Sequence, residues 1–374
     1  MQPVNIGLIG CGNISGTYLR TLQQFPEIRL IACADQDPAR AQVRATEFGI
    51  AADSVESLLA RPEIEMVVNL TTPAAHFEIC LAALEAGKHV HVEKPLGITL
   101  EQGEKLLATA ERNQLRIGVA PDTFLGGGFQ TCRKLIDDGW IGEPIGAFAS
   151  VLNHGHEHWH PNPDFYYEPG GGPMFDLGPY YLATLISLIG PLTGVTGSAR
   201  TTFPTRTITS QPRYGQSVRV EVPTHVLGLL DFAGGGSGML ITTFDVWASQ
   251  LPWIEIYGSE GTLSTPDPNW FGGPVRIKRQ GATDWSEVPL THGFNDRGNR
   301  GIGAVDLALA LRSGRPHRCS AEMGLHVLEA MHGIHVSAET GRRYDMRTVC
   351  QRPAPIPIGP SLMNRIDDAP AENS

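Results

Sequence analysis

The stretch "VNIGLIGCGNISG" at residues 4–16 decides the fold of the first part of the chain. Its first half is an apolar run typical of a buried strand, and Gly10 and Gly12 follow at once. Ser15 takes the third position of a G-x-G-x-x-G pattern. A turn of this kind, between a strand and a helix, lets the backbone approach a pyrophosphate at the helix N-terminus. We therefore predict a dinucleotide site with Gly10 and Gly12 at the phosphates.

Short apolar runs and helical stretches continue to alternate up to about residue 120. Further strands are predicted in "IRLIACAD", "IEMVVNL", "KHVHVE" and "LRIGVA". Pro73 and Thr99 stand where an N1 proline and an N-cap threonine begin a helix. Strands so rich in Val, Ile and Leu are typical of a parallel sheet with helices on both faces. Residues 1–121 are therefore predicted to form an α/β Rossmann dinucleotide-binding domain.

The pattern changes after residue 122, where many strands follow one another with Gly and Pro between them. A helix is predicted in "MFDLGPYYLATLISLIG", and two more at about 299–313 and 320–340. We predict an α+β domain with a large, mainly antiparallel sheet over 122–350, and a Pro-rich tail over 351–374. Helices on one side only would leave the other face of that sheet to be covered by a homodimer or homotetramer.

Composition excludes several classes of partner. The chain has 374 residues and a net charge of −10 without a basic run, which argues against binding to nucleic acid or an anionic membrane. No apolar stretch reaches the roughly 20 residues that span a bilayer. Because the first strand begins at Val4, we expect no secretory signal. Six scattered cysteines indicate reduced thiols, so we expect a cytoplasmic protein.

Asp35 ends the second predicted strand, about 20 residues after the glycines. A carboxylate at this place accepts hydrogen bonds from the ribose hydroxyls of NAD and repels the 2′-phosphate of NADP. NAD is therefore favoured over NADP. The alternative is an ordinary turn with a solvated aspartate.

Three stretches resemble the glucose–fructose oxidoreductase, inositol dehydrogenase and MocA family (Gfo/Idh/MocA), and the resemblance covers nearly the whole chain. They are "GLIGCGNIS", "TTPAAHFEICLAALEAGKHVHVEKPLG" and "GGGPMFDLG". The resemblance implies that Lys94 lies beside the nicotinamide and the reacting carbon, that Pro95 shapes the turn, commonly with a cis peptide, and that Glu93 lies at the cofactor. An ammonium there would stabilise a developing alkoxide. The alternative for Glu93 and Lys94 is a solvated surface pair.

The resemblance also implies cofactor contacts from other residues of the same two stretches. For one of them, His76, a packing role is an equal alternative. The remaining residues are Asn13, Ile14, Thr71, Thr72 and Pro73.

In many members of that family an Asp-x-Gly-x-His motif supplies a histidine as acid/base. Here Asp176 and Gly178 are followed by Tyr180 in the histidine position, which indicates a subgroup with tyrosine in that role. Asp176 and Tyr180 are four residues apart and would share one face of a helix. A free phenol has a pKa near 10, and we expect Lys94 to lower it. Asp176 would orient substrate hydroxyls.

A histidine is the alternative acid/base. His154, His156, His158 and His160 alternate along the chain, and a continuing strand would put all four on one face. Three interpretations are a metal site, a sugar pocket and a hydrophilic loop without a catalytic task. We favour the sugar pocket and predict no metal, because no Cys or carboxylate cluster completes a ligand set. His160 is the alternate acid/base.

These features predict an NAD-dependent oxidoreductase that transfers hydride between nicotinamide and a secondary alcohol of a small carbohydrate: a sugar, cyclitol or glycoside. One alternative is a glycoside-cleaving enzyme that keeps NAD bound and works by transient oxidation and elimination. The other is a nucleotide-binding protein without catalysis.

Overall fold

The computed structural model describes residues 2–295 and 298–358. Within them, residues 4–119 contribute a six-stranded parallel sheet in the order β3-β2-β1-β4-β5-β6. This is the order of a Rossmann fold, so the predicted α/β class is confirmed. Strand β3 was not predicted, because it has only three residues. The strands are β1 Val4–Ile9, β2 Ile28–Ala34, β3 Ala51–Asp53, β4 Met66–Asn69, β5 His89–Val92 and β6 Ile117–Val119.

Five helices connect these strands, and their starts follow the predicted capping signals. Pro73 is the first residue of α4. Thr99 caps α5 in a capping box, because its hydroxyl accepts from the Gln102 N–H and the Gln102 side chain accepts in return from the Thr99 N–H. The helices are α1 Ser15–Leu22, α2 Pro38–Phe48, α3 Val55–Ala60, α4 Pro73–Glu85 and α5 Leu100–Arg112.

The second sheet of the described chain has nine strands in the order β16-β15-β14-β13-β7-β12-β11-β8-β17. Only β7 and β12 pair in parallel; the other pairs are antiparallel, as predicted. A separate hairpin pairs β9 with β10. The strands are β7 Pro144–Leu152, β8 Leu192–Arg200, β9 Thr205–Thr207, β10 Ser217–Arg219, β11 His225–Phe232, β12 Ser237–Thr243, β13 Ile254–Gly258, β14 Gly261–Ser264, β15 Val275–Arg279, β16 Ser286–Val288 and β17 Tyr344–Asp345.

The single helix predicted over 174–190 is wrong, because the chain forms two helices there. Proline lacks the N–H of a helix interior and its ring collides with the carbonyl four residues earlier, so Pro179 lies in the first turn of a new helix that begins at Gly178. Asp176 therefore ends one helix, and Tyr180 lies in the first turn of the next. The helices of this region are α6 Gly127–Asp137, α7 Gly172–Asp176, α8 Gly178–Leu188, α9 Ile302–Ser313 and α10 Ala321–Thr340.

Helix α10 packs on one face of the nine-stranded sheet. Gly197 and Gly228 lie under Ile334, where added Cβ atoms would meet atoms of that residue at 1.9 and 2.7 Å. Since side chains alternate along a strand, the neighbours of Gly228 point to the opposite face. Leu227 is half-buried there, and Leu229 is 56% exposed.

The domain limits at residues 121 and 350 stay a prediction. Residues 351–358 form neither helix nor strand, and residues 359–374 of the predicted tail lie outside the described residues. Within the described ranges, no helix has the length and apolar content needed to cross a bilayer.

Candidate active site

The predicted cofactor residues gather at the carboxyl edge of the parallel sheet. Gly10 follows β1, Asp35 follows β2, Thr71 comes after β4, and Glu93 follows β5. Ligands of open α/β sheets bind at this edge, at the point where the strand order reverses, which here lies between β1 and β4.

The glycine loop has the shape of a phosphate cradle. Gly10 has a φ of +101°, and a Cβ there would lie 2.5 Å from the carbonyl carbon of Leu70, so only glycine fits. A Cβ on Gly12 would meet nothing within 4 Å, which leaves open space above the loop. Ser15 fills the third position of the motif by donating its hydroxyl to the Gly12 carbonyl at 2.6 Å. The loop fits a pyrophosphate at the start of α1.

Asp35 holds this loop in place. One carboxylate oxygen accepts from the Cys11 N–H at 2.7 Å, and the other accepts from the Asp37 N–H at 2.9 Å. A carboxylate has about four acceptor positions, so capacity remains for ribose hydroxyls.

The loop after β4 contains further predicted cofactor residues. Thr72 is exposed at the N-cap of α4. His76 is only 1% exposed, with Nδ1 2.8 Å from the Pro95 carbonyl oxygen and Nε2 3.1 Å from that of Thr71. Burial lowers the pKa of His76. This geometry favours the packing alternative, in which His76 joins the loop to the Lys94–Pro95 turn. At the other loop, Asn13 is exposed and Ile14 is the N-cap of α1.

Lys94 meets Asp176 and Tyr180 between the two sheets. The Lys94–Pro95 peptide is cis. Lys94 Nζ donates to the Asp176 backbone carbonyl at 2.5 Å and to Asp176 Oδ1 at 3.2 Å. The same ammonium lies 5.3 Å from the centre of the Tyr180 ring. The break between α7 and α8 therefore still brings both predicted side chains to Lys94.

Burial and charge act in opposite directions on these groups. Burial opposes ionisation of Asp176, but Lys94 and His156 hold its pKa at about 2. Burial also opposes the charge on Lys94, yet Asp176 and Tyr180 raise the pKa of Lys94 above its usual range. Burial raises the pKa of Tyr180, and Arg300 and Lys94 only partly offset it. Burial therefore outweighs the expected lowering by Lys94, and the pKa of Tyr180 lies above its ordinary value.

His156, and not His160, contacts Asp176. Strand β7 ends at Leu152, so the four alternating histidines do not share a strand face. His156 Nε2 lies 3.0 Å from Asp176 Oδ2, and its Nδ1 accepts from the Trp159 indole N–H at 3.2 Å. Because Trp only donates, Nδ1 carries no proton and Nε2–H donates to the carboxylate.

His160 lies farther out on the same loop. Its Nδ1 accepts from the Asn162 N–H at 3.1 Å, and its ring packs against Trp159 and Phe165. The structure places the imidazole of His156, and not that of His160, beside the Asp176 carboxylate. The role of His160 as the alternate acid/base stays a prediction.

Two further residues of the site, Arg300 and Tyr166, were not predicted from the sequence. Arg300 Nη1 donates to the Tyr180 hydroxyl at 3.1 Å, and its Nη2 donates to Asn269 Oδ1 at 2.6 Å. The Tyr166 ring lies 4.0 Å from the His156 ring. Arg300 belongs to no recognisable motif, whereas the aromatic run "DFYYEP" was a visible signal for Tyr166.

Glu93 lies on the cofactor side of Lys94. It accepts from the Tyr18 hydroxyl at 2.7 Å and from the Lys94 N–H at 3.0 Å. Burial opposes its ionisation, but Arg300 and Lys94 keep the pKa of Glu93 below its usual range. Tyr18 belongs to α1, so this hydrogen bond connects the phosphate-loop helix to the Lys94 turn. In the described part of the chain, no group of three or more His, Cys, Asp or Glu side chains could hold a metal ion.

Comparison with known families identifies the family of this chain. Residues 4–120 match the model of an oxidoreductase family with an NAD-binding Rossmann fold, GFO/IDH/MocA, and residues 129–264 match the GFO/IDH/MocA C-terminal domain. The chain belongs to the GFO/IDH/MocA oxidoreductase family. As a member of it, this oxidoreductase uses NAD, in keeping with the open loop at Gly12.

Several relatives of this GFO/IDH/MocA oxidoreductase act on sugars or cyclitols according to their names. A dTDP-3,4-didehydro-2,6-dideoxy-α-D-glucose 3-reductase of Saccharopolyspora spinosa is 30% identical over 77% of this chain and 83% of its own. An inositol 2-dehydrogenase of Rhizobium meliloti is 29% identical over 38% of this chain and 43% of its own. A levoglucosan dehydrogenase solved with NADH and L-sorbose has the same fold, with a TM-score of 0.80 at 21% identity over 93% of this chain and all of its own.

Proposed function

We propose that this NAD-dependent oxidoreductase transfers hydride between nicotinamide and a secondary alcohol of a sugar, cyclitol or glycoside, with Tyr180 as the proton-transfer group. The observation that carries the proposal is the meeting of Lys94, Asp176 and Tyr180 at the carboxyl edge of the NAD-binding sheet. The named activities of the relatives support the substrate class.

NAD, when bound, supplies the hydride acceptor or donor, and the protein supplies position and electrostatics. We assign the binding of NAD to the residues at the glycine loop, after β2, after β4 and after β5. They are Gly10, Gly12, Asn13, Ile14, Asp35, Thr71, Thr72, Pro73, Glu93 and Lys94.

The substrate oxygen is proposed to lie between Lys94 and Tyr180. The Lys94 ammonium stabilises alkoxide character on that oxygen. The Tyr180 hydroxyl accepts from Arg300, so its own proton is free to pass to the oxygen during reduction of a ketone. In oxidation the same proton moves in the reverse direction, and Arg300 and Lys94 stabilise the phenolate.

Asp176 is proposed to orient neighbouring hydroxyls of the substrate. It is held ionised by two donors, Lys94 and His156, and an ionised carboxylate accepts hydrogen bonds only. His156 acts here as a positioning residue, because both of its ring nitrogens are already occupied.

The test is a screen for NADH formation with sugars, cyclitols and glycosides, repeated with Lys94→Ala. We expect NAD binding to stay largely intact, because the other nine assigned residues remain, and kcat to fall by about 100-fold or more, since a charged donor to the developing alkoxide is lost. The exposed Lys105 of α5 provides a matched control, Lys105→Ala. Near-wild-type turnover by Lys94→Ala would contradict the assignment.

The same screen separates the two possible reaction classes. Net dehydrogenation releases one NADH for each substrate oxidised. Sugar release without NADH would instead indicate glycoside cleavage by transient oxidation.

We also propose that the enzyme self-associates through the outer face of the nine-stranded sheet, the face opposite α10. Its apolar side chains are neighbours in the strand register: Leu229 pairs with Met239, which pairs with Phe148. Leu227 and Ile241 pair in the next row. A second copy of this face would supply the apolar cover.

A further inference from the structure

Five aromatic side chains form a closed group beside the proposed active site. Successive ring centres in this aromatic wall are 4.0 to 5.5 Å apart, the distances of packed aromatic pairs. The wall consists, in order around the group, of His156, Trp159, His160, Phe165 and Tyr166.

The aromatic wall leads from the catalytic groups to solvent. At its inner end, His156 contacts Asp176, and Tyr166 lies close enough to Asp176 and Lys94 for both charges to act on its hydroxyl. At its outer end, Trp159 is 55% exposed and Phe165 is 46% exposed. Large aromatic rings left in contact with water beside an active site mark a ligand-binding surface.

Buried ion pairs and backbone hydrogen bonds hold the loop that carries these rings. Arg206 of β9, only 3% exposed, pairs at 2.5 Å with Glu157 of the loop and at 2.5 Å with Asp245. The N–H groups of Thr209 and Ser210 donate to the Glu157 carbonyl. Burying these three charged side chains costs desolvation free energy. The ion pairs hold the loop in one conformation, and a preformed surface loses less conformational entropy when it binds a ligand.

We propose that the outer part of the aromatic wall, Trp159 and Phe165, binds a second sugar ring, so that the preferred substrate is a glycoside of two rings. This inference rests on the proposed function, because the reacting ring would lie at Lys94 and Tyr180. The C–H face of a pyranose packs on an aromatic ring while its hydroxyls stay at the edge. The His156 ring connects the two positions, because its Nε2 lies 3.0 Å from Asp176 Oδ2 and its ring centre lies 5.5 Å from that of Trp159.

The acidic residues next to Phe165 favour binding of a neutral sugar ring over binding of a nucleotide diphosphate. A polar cleft of about 320 Å³ lies there, lined by Asp164, Glu168, Pro169, Val218, Arg219 and Glu221. Its lining has three carboxylates and the Arg219 guanidinium, and Arg213 pairs with Asp164 from outside the lining, so the whole group has a net charge of −1. Carboxylates repel phosphates but accept hydrogen bonds from sugar hydroxyls.

The test compares disaccharides with their constituent monosaccharides on the full chain with NAD. Rates of NADH formation are measured for cellobiose, maltose and lactose, for glucose and galactose, and for UDP-glucose. We expect kcat/KM of at least one disaccharide to exceed that of its monosaccharides by about tenfold, the worth of one aromatic contact. Phe165→Ala should raise the disaccharide KM and remove most of this ratio, whereas Trp285→Ala, at a ring 41% exposed elsewhere, should preserve it.

Each other outcome overturns the inference in a distinguishable way. Equal kcat/KM for mono- and disaccharides overturns the second-ring site and leaves the proposed function standing. A preference for UDP-glucose, or an equal loss on all sugars in Phe165→Ala, also overturns it. If none of the sugars yields NADH, the proposed function fails and this inference fails with it.

Discussion

At the scale of single residues, the surroundings of Tyr180 predict an asymmetric pH dependence. Burial raises its pKa, so the phenol stays protonated at neutral pH and is ready to act as an acid. We therefore expect the rate of ketone reduction to be independent of pH across the neutral range. Alcohol oxidation needs the phenolate, so its rate should keep rising with pH toward the ordinary phenol value of about 10 and beyond.

Initial rates with NADH and with NAD, measured from about pH 6 to 10, test this expectation. Tyr180→Phe provides the control, because it keeps the ring and removes the titrating hydroxyl. An oxidation rate that levels off near pH 7 would contradict the prediction.

Arg300 is expected to tune that profile. Its guanidinium donates to the Tyr180 hydroxyl, and its charge opposes the rise in the pKa of the phenol. Arg300→Gln keeps a donor but removes the charge, so the oxidation profile should move by about one unit to higher pH. The exposed Arg343 provides the control variant, Arg343→Gln. An unchanged profile in Arg300→Gln would show that the charge does not reach the proton-transfer group.

The sequence predicted the residues of this site where a local motif existed. Lys94 and Asp176 belong to such motifs and do meet. Arg300 could not be predicted, because it lies 120 residues from Tyr180 and only the tertiary fold joins them. His156 was passed over because we assumed that a strand continued through the histidines, whereas the chain turns after Leu152.

At the scale of elements, two glycines of one loop should respond differently to the same substitution. A Cβ on Gly10 would collide with the Leu70 carbonyl carbon at 2.5 Å, so Gly10→Ala should lower both stability and NAD affinity. A Cβ on Gly12 enters open space, so Gly12→Ala should keep the stability and weaken NAD binding by about tenfold or more, because it fills the phosphate cradle. Thermal unfolding and NAD titration measure the two effects. Wild-type NAD affinity in Gly12→Ala would place the pyrophosphate elsewhere.

At the start of helix α9, the buried carboxyl of Asp122 is expected to make the free energy of unfolding depend on pH. Asp122 Oδ2 accepts from the N–H groups of Gly301 and Gly303 at the start of this helix. The carboxyl is fully buried, and burial raises its pKa to about 6 despite these hydrogen bonds. A raised pKa in the folded state means that stability is fully present below about pH 4 and is lost as the pH rises through 6.

The amide of Asp122→Asn is a neutral acceptor of the same shape and does not titrate. Relative to this variant, the wild-type free energy of unfolding should fall by about 1–3 kcal/mol between pH 4 and 7. Urea unfolding at both pH values measures the difference. Parallel pH profiles of the two proteins would contradict it.

At the scale of the whole molecule, the two halves of the chain differed in how far they could be predicted. The Rossmann sheet follows from strand and helix alternation, because its crossover connections obey general rules of topology. In the nine-stranded sheet, β7 lies between β12 and β13, about 100 residues away along the chain. No periodicity in the sequence encodes that order, so only its class could be predicted.

The outer face of that sheet carries the last prediction, which concerns assembly. Leu229, 56% exposed in the single chain, lies in its central rows, and a stable interface must bury about 800 Å² on each partner. A twofold interface uses the same patch from both copies, so Leu229→Glu would introduce two carboxylates into one apolar contact. An unpaired buried charge costs several kcal/mol, which weakens a dimer by about a hundredfold or more.

Sedimentation at about 10 µM, chosen to lie well above the dissociation constant of a stable dimer, should therefore find an oligomer for the wild type and a monomer for Leu229→Glu. Val43→Glu, at a side chain 63% exposed on α2, should remain oligomeric, and a monomeric wild type would refute the proposed assembly.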